Sequence, residues 1–552
     1  MKKALAILLA AMFCMSAVAC SNTGSTSSAA NTSSAADTTS TSADSFAEKQ
    51  EISIAMWGIG DIISSEEDAL RDYVFDKFNV TLTAQPVTWT DADEKIKLWA
   101  TAKNLPDLTA YAAAFSETFQ QWTQQGVVRA LPASANDESK YPDLAKLMNS
   151  DWTKTANEIT DTNTTFYGIP RPNFNEDLQS ATDNGLLLRK DWLDELGLSV
   201  PTTIDELIDT VKKMMAAHPG TVGITGYNFG WMTFLMDGAC PASINGFQWV
   251  NADSDDATYN GKVVPVWMTK SFLNGIKQMR ACYEAGVLDK DYLLLKDEEG
   301  RDKFINDRAC AYAHSGTYPG GIISLEQKMS TDKAASHKGT PLSSLIIGMP
   351  RLKDADGNAQ YVLGDRCWSE SYLGINVSDE KAERICALMN WLLSEDGFKT
   401  VTYGIPNTDW TEDADGKVTF TLGKDSDGNE YTAAGAKYPF GGISMLSNWS
   451  GFRSYMNQTY SDDLMSICNT YDETLKAENV KVMDMPNTKG LVLTETSMYN
   501  VLDFNETINK FMTYEGDVDA YWAEFKATQL KNGYDQVIDE MNTLYDARKS
   551  AQ

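Results

Sequence analysis

Ile52-Ser53-Ile54-Ala55-Met56, followed by Gly58 and Gly60, then Leu70, Tyr73, Val74 and Phe78, then Val80, Leu82 and Ala84, is the stretch that decides the fold class. Residues 52–56 alternate with period two, as a half-buried strand does. Leu70 to Phe78 recur with helical spacing, and residues 80–84 alternate again. Strand, helix and strand in that order form the unit of a parallel sheet. Outward from it, about Asp91 to Ala102 reads as a helix and Pro106 to Tyr111 as a third strand. The first lobe is therefore expected to be α/β.

Gly58-Ile59-Gly60 after a first strand invites a dinucleotide reading, but Ile63 stands where the third glycine belongs, so a tight strand-to-helix turn is expected instead. Asp191 to Leu196 reads as a short helix stopped by Gly197. A second helix follows Pro201, with Thr203 and Glu206 at capping-box spacing and Ile204, Leu207, Ile208, Val211, Met214 and Met215 on one face. His218 falls at its C-terminus, where a structural histidine is expected. Asp379 to Glu395 reads as a helix capped by Ser378 and ended by Gly397. The region 411–436 reads as a β-hairpin excursion and the tail from Thr496 to Ala551 as helical.

The chain has 552 residues, too many for one core. Its formal net charge of −30 argues against nucleic acid and anionic lipid as partners. At the N-terminus, Lys2 and Lys3 precede an apolar run from Ala4 to Met15 and then Ala17-Val18-Ala19-Cys20, which reads as a signal peptide over 1–19. The cysteine after small residues resembles the lipobox of bacterial lipoproteins, with Ala17 where leucine is usual. That resemblance implies lipidation of Cys20 and anchoring to the outer face of the cytoplasmic membrane. Residues 20–46 hold the lipidated cysteine and a Ser/Thr/Ala-rich stretch without the apolar groups to fold, an expected disordered tether. No later run is long and apolar enough for a transmembrane helix.

Cys240, Cys282, Cys310, Cys367, Cys386 and Cys468 are widely spaced, and buried free thiols are the expected state. With no CxxC and with only His218, His314 and His337 as imidazoles, no transition-metal site and no cofactor are expected. The Asp-rich turns place Gly357, Gly416 and Gly428 fourth, as hairpin turns require, rather than sixth as in a calcium loop. No nucleophile or zinc-protease motif occurs, although paired carboxylates across a cleft would leave no sequence signature.

Aromatic residues carry the remaining signal. Trp57 follows the first strand and Trp89 the second. Trp231, Trp368, Trp410 and Trp449 sit among turn formers and polar residues, whereas Trp99, Trp192, Trp391 and Trp522 fall on helical stripes and read as core. Loop aromatics beside Asp, Asn and Arg suit a sugar, with rings stacking on C–H faces and planar polar groups taking hydroxyls.

Asn104-Leu105-Pro106-Asp107, Phe166-Tyr167-Gly168-Ile169-Pro170, Asn184-Gly185-Leu186-Leu187-Leu188-Arg189-Lys190-Asp191-Trp192-Leu193, Pro201 to Leu207, Tyr283 to Leu288, Phe304 to Ala309, Leu393 to Gly397 and Tyr403 to Pro406 recur in an order that resembles extracellular solute-binding proteins of ABC importers, the large lipoproteins of the LipO and alginate-binding type. The resemblance implies an α/β, two-lobed periplasmic-binding-protein-like fold (type II), its ligand cleft between lobes joined by crossing hinge strands. Lobe 1 would comprise 47–168 plus 374–440, and lobe 2 169–373 plus 441–552. Crossings would fall near Pro170–Leu187 and Leu363–Asn376, with a third pass after the hairpin.

The implied function is capture of a small saccharide or oligosaccharide, without chemistry, and its delivery to an ABC transporter permease by a membrane-tethered monomer. Trp57, Trp231, Trp368 and Trp449 are expected as stacking platforms. Asp61, Asn173, Asn184 and Glu370 are expected to share hydroxyl bonds, and Arg171 or Arg366 to reach oxygens or a uronate. Trp89, Tyr111, His314, Tyr318, Trp410 and Arg453 complete the cleft set. A secreted carbohydrate-active enzyme, a surface adhesin or sensor, and a peptide rather than sugar ligand stand as alternatives.

Overall fold

The computed structural model describes residues 46–551. Outside it lie the longer stretches 155–164, 173–184, 227–232, 241–245, 251–255, 315–318, 362–366, 449–459 and 494–501, and several shorter ones. The strands of the two main sheets are, along the chain, β1 (Gln50–Ala55), β2 (Val80–Ala84), β3 (Leu108–Tyr111), β4 (Gly168–Pro172), β5 (Gly185–Arg189), β6 (Val222–Gly226), β7 (Ala309–His314), β8 (Ile346–Gly348) and β9 (Cys367–Leu373). The first sheet has the order β2-β1-β3-β9-β4 and the second β8-β5-β7-β6. In the first, β1 runs parallel to both β2 and β3, while β9 is antiparallel to β3 and to β4. In the second, β6 and β7 are parallel and the other pairings antiparallel.

The first sheet forms as its pattern predicts. Ile52 and Ile54 are wholly buried, as are Leu70 and Val74 on helix α1 (Ala69–Phe78), which crosses from β1 to β2. Asp68 caps α1 by accepting the Arg71 N–H at 2.9 Å, and its other oxygen accepts the Phe440 N–H at 3.0 Å. One capping residue thereby fixes both the helix and a segment from far along the chain. Helix α2 (Ala92–Thr101) then leads to β3.

The chain enters this lobe under a clamp. Arg384 donates through Nη1 to the carbonyls of Phe78 and Asn79 at 2.6 and 2.8 Å, and through Nη2 to that of Glu48 at 3.1 Å. Its guanidinium lies 4.0 Å from the Phe46 ring centroid, and Asn79 Nδ2 donates to the Phe46 carbonyl at 2.9 Å.

In the second lobe, α3 (Lys190–Leu196) ends at Gly197, whose φ of 62° is left-handed, as its place in the sequence predicts. Arg189, at the end of β5, is bound by Asp191 and by Asp307 and lies 4.4 Å over the Trp192 ring. His218 stacks on Trp192 with centroids 3.8 Å apart and planes 14° from parallel, the structural role expected of it. It follows α4 (Ile204–Ala217), whose cap departs in one detail from the expected box. Thr203 Oγ1 accepts the Glu206 N–H, but Glu206 Oε2 reaches Thr202 N at 2.8 Å rather than the cap residue's own N–H.

Helix α5 (Asp379–Leu393) starts at the Ser378 cap, as predicted. Its end is a correction. Ser394 terminates it and simultaneously caps α6 (Glu395–Tyr403), donor to its Oγ being the Gly397 N–H at 3.1 Å. Gly397 therefore lies inside α6, where a Cβ would stand 1.8 Å from the Trp391 carbonyl oxygen. It is glycine because two backbones touch there, not because a helix stops.

Residues 410–412 and 418–420 pair as the expected hairpin. Gly357, Gly416 and Gly428 have φ of 80°, 78° and 84°; Asp354 Oδ1 accepts the N–H groups of Asp356 and Asn358, and Asp413 Oδ1 those of Asp415 and Lys417, so the first two are Asx-stabilised turns. The tail is helical over Phe504–Thr513, Val518–Gln529 and Asp535–Ala551. Cys282, Cys310 and Cys386 are free buried thiols, and Cys240, Cys367 and Cys468 are also buried. Among the described residues, no helix is long and apolar enough to cross a membrane.

Candidate functional site

Open α/β sheets bind ligands beyond the carboxyl ends of their parallel strands. In the first sheet that edge is where β1 and β3 end. Past β1, Trp57 pairs with Val87 in a parallel bridge, and Gly58, at φ 75°, turns the chain into a short helix over Ile59–Ile62. Positive φ costs a residue with a Cβ, so glycine serves here as the expected strand-to-helix turn. β3 ends at Tyr111, which stands in register with Glu370 of β9, and Glu370 stands in turn beside Pro170 of β4.

A β-bulge between Cys367 and Glu370 interrupts β9 at this edge, with Ser369 held at φ 63°. A left-handed serine costs roughly 1 kcal/mol, so local packing has to hold it there. What holds it is Arg171, wholly buried, whose Nη1 donates to Ser369 Oγ at 2.7 Å. Its Nε donates to the Met445 carbonyl at 2.6 Å, and its guanidinium lies 5.7 Å from the centroid of the Trp57 ring. Burial lowers Arg171 to about 9, with the nearby Glu370 charge acting against that shift.

Glu370 is equally enclosed. Its Oε2 accepts the N–H groups of Ala113 and Ala114 at 3.2 and 2.9 Å and the Tyr372 hydroxyl at 2.7 Å. It thus anchors the loop that leaves β3. Desolvation pushes its carboxyl up to about 7, against the pull of those three donors and of Arg171. On the neighbouring strand, Tyr111 donates its hydroxyl to Asp93 at 2.7 Å and stacks on Trp122. Trp122 in turn meets Tyr372 edge-on at 5.6 Å, which closes an aromatic layer beneath the edge.

The structure therefore brings together Trp57, Tyr111, Arg171 and Glu370, from four separate segments. Asp61 is exposed on the short helix just beyond Trp57. Trp410 sits apart: its Nε1 donates to the Gly404 carbonyl at 2.8 Å and its ring meets Tyr403 edge-on, so it packs the base of the hairpin. His314 ends β7 opposite Gly185, and Trp368 lies in the bulge of β9, with the side chains of both outside the described set. Trp89, Asn173, Asn184, Trp231, Tyr318, Arg366, Trp449 and Arg453 fall outside the described residues, as do Cys20 and the stretch that follows it.

Ser369, Tyr372 and the Met445 carbonyl were not anticipated from sequence. Tyr372 had a usable signal, since it lies two residues from Glu370 on one strand face. Among the described residues, no group of three or more His, Cys, Asp or Glu side chains is arranged to hold a metal ion.

Comparison with known proteins places this geometry in context. A family model described as bacterial extracellular solute-binding protein matches residues 63–397. The polygalacturonan/rhamnogalacturonan-binding protein YtcQ of Bacillus subtilis is 24% identical over 354 residues, covering 62% of this chain and 64% of that protein. Lipoprotein LipO of the same organism is 24% identical over 148 residues, covering 26% of this chain and 29% of its own length. The matches thus span less than two thirds of either curated relative. Among solved structures, the alginate-binding protein AlgQ2 without calcium superposes with a TM-score of 0.62 at 16% identity, covering 91% of this chain and 99% of that one. The Streptococcus pneumoniae substrate-binding protein FusA in complex with kestose gives 0.60 at 16% identity, over 91% and 100%. The two-lobed fold is common to all of these structures.

Proposed function

The chain belongs to the bacterial extracellular solute-binding proteins, and from that membership we propose that it captures a saccharide or oligosaccharide outside the cell and delivers it, unaltered, to the permease of an ABC importer. The observation that carries this reading is the 354-residue match to a relative named for binding polygalacturonan and rhamnogalacturonan. The chemistry of the first sheet's carboxyl edge supports it, because aromatic rings beside carboxylates suit pyranose faces and hydroxyls. The ligand cleft lies beyond that edge, lined by positions drawn from the set singled out above, with Trp57, Asp61 and Tyr111 on the first lobe and Trp231, Trp368 and Trp449 as further platforms. The lobes meet just past β4, just before β9 and just past Leu446, where the chain passes between the buried cluster of the first lobe and those beyond it. Closure of the lobes excludes water, so each unmatched polar group on a wrong ligand is costly. Cys20 carries the lipid anchor, which tethers a monomeric receptor to the outer face of the cytoplasmic membrane.

Calorimetry against neutral and acidic oligosaccharides tests the reading, with parallel assay of reducing ends. Saturable binding to at least one sugar without new reducing ends is expected. Release of reducing ends would make the protein an enzyme, and tight binding to a peptide with none to any sugar would overturn the ligand class.

A further inference from the structure

Three segments of the first lobe, each next to a point where the chain passes to or from the second, are joined by a single guanidinium. β4 carries Arg171 and is followed by β5 of the second sheet. β9, whose Ser369 accepts from Arg171 Nη1, is reached from Met349 and Leu352 in the second core. The 3₁₀ turn Pro439–Leu446, whose Met445 carbonyl accepts from Arg171 Nε, precedes the segment that enters a further core at Leu464. The three chain passes are otherwise far apart in sequence. Ser371 Oγ adds a second tie between the last two, donating to the Leu446 carbonyl at 2.8 Å. The one residue in β9 with a left-handed backbone, Ser369, is the one that supplies the acceptor for Arg171. Backbone strain maintained in a buried bulge points to a conformational role.

We propose that the Arg171–Ser369–Met445 contact is the pin of the hinge, a positioning contact that holds the three crossing segments in one arrangement on the first lobe. The second lobe then turns as a unit about a fixed base, and the crossings do not shift independently. Two features make the contact suited to this. The guanidinium is planar with donors in a fixed fork, so it sets the angle between its acceptors as well as their distance. It is also out of water, so a lost partner leaves a buried donor unmet and the alternative arrangements are disfavoured. The inference rests on the reading of the protein as a receptor whose lobes close on a ligand.

Position 369 separates the acceptor from the backbone. Ser369→Gly keeps the left-handed conformation at no steric cost and removes Oγ, whereas Ser369→Asn keeps both a tolerated backbone and an acceptor. Spin labels at Leu98→Cys on the first lobe and Leu294→Cys on the second, both exposed in the structure, report the distribution of inter-lobe distances in the full chain carrying Cys14→Ser and Cys20→Ser. Without ligand, the parent should give a narrow distribution, Ser369→Gly a distribution about twofold broader, and Ser369→Asn a narrow one again. Arg171→Lys, which keeps the charge but loses the fork, should broaden it as well and serves if the glycine variant does not fold. Parent-like widths in a folded Ser369→Gly or Arg171→Lys variant would overturn the pin. Failure of any saccharide to shift the parent's distribution would instead count against the receptor reading, and the ligand-free widths would still decide on the pin.

Discussion

Tyr372 donates its hydroxyl to Glu370 Oε2 at 2.7 Å across one face of β9, with both side chains buried. The carboxyl is thus held at a point where solvent cannot reach it and where Arg171 acts on it from the adjacent strand. Glu370 is raised from an ordinary 4.5 to about 7, so the folded protein binds this proton more tightly than the unfolded chain does. Its contribution to stability is full below pH 4.5 and is lost as pH rises toward 7. Across that window the parent should lose roughly 3 kcal/mol relative to Glu370→Gln, which does not titrate. Thermal denaturation from pH 4 to 8 measures the difference, and parallel profiles for the two proteins would refute it.

Gly397→Ala should destabilise the protein by about 3 kcal/mol, because the new Cβ meets the Trp391 carbonyl at 1.8 Å. A glycine that merely ended a helix would cost about 1 kcal/mol on the same change. Urea denaturation of the single variant distinguishes the two.

Arg189→Met should cost about 2 kcal/mol, since a buried guanidinium bound to Asp191 and Asp307 and seated on Trp192 is replaced by a side chain that makes neither ion pair. Arg189→Lys should recover only part of the loss, because an ammonium lacks the fork that engages both oxygens of Asp191. Equal stability of the Lys variant and the parent would show the fork to be irrelevant.

Burial pushes the thiols of Cys282, Cys310 and Cys386 up to about 12. At pH 8 the native protein should leave all three unmodified by a disulfide exchange reagent, and denaturant should expose them. Mass spectrometry of labelled peptides provides the check, and rapid native labelling at any of the three would contradict it.

The parallel unit at the start of the first lobe was legible because Ile52, Ile54, Leu70 and Val74 are placed by local periodicity alone. The second lobe's helix ends were legible for the same kind of reason: Gly197 and the Thr203 cap act within a few residues of themselves. Gly397 was misread because the contact that requires it comes from folding α6 back on α5, which spacing does not reveal. The edge cluster was half legible. Trp57 and Glu370 stand out by residue type and position, but the bond from Arg171 to Ser369 spans 198 residues and that to Met445 spans 274. No sequence pattern marks a β-bulge that depends on a partner so distant.

The Arg384 clamp has a mechanical consequence. A pull that reaches the body at Phe46 meets three guanidinium bonds to backbone carbonyls, the Asn79 amide and a ring contact before it reaches β1. β1 lies between β2 and β3, so a force along its axis loads both ladders in shear and their hydrogen bonds share it, instead of opening one after another. Tension at the point of entry is thereby met first by the β2 ladder, which runs from Gln50 to Ile54, and reaches the β3 ladder only at Ile54 and Ala55, the last two residues of β1.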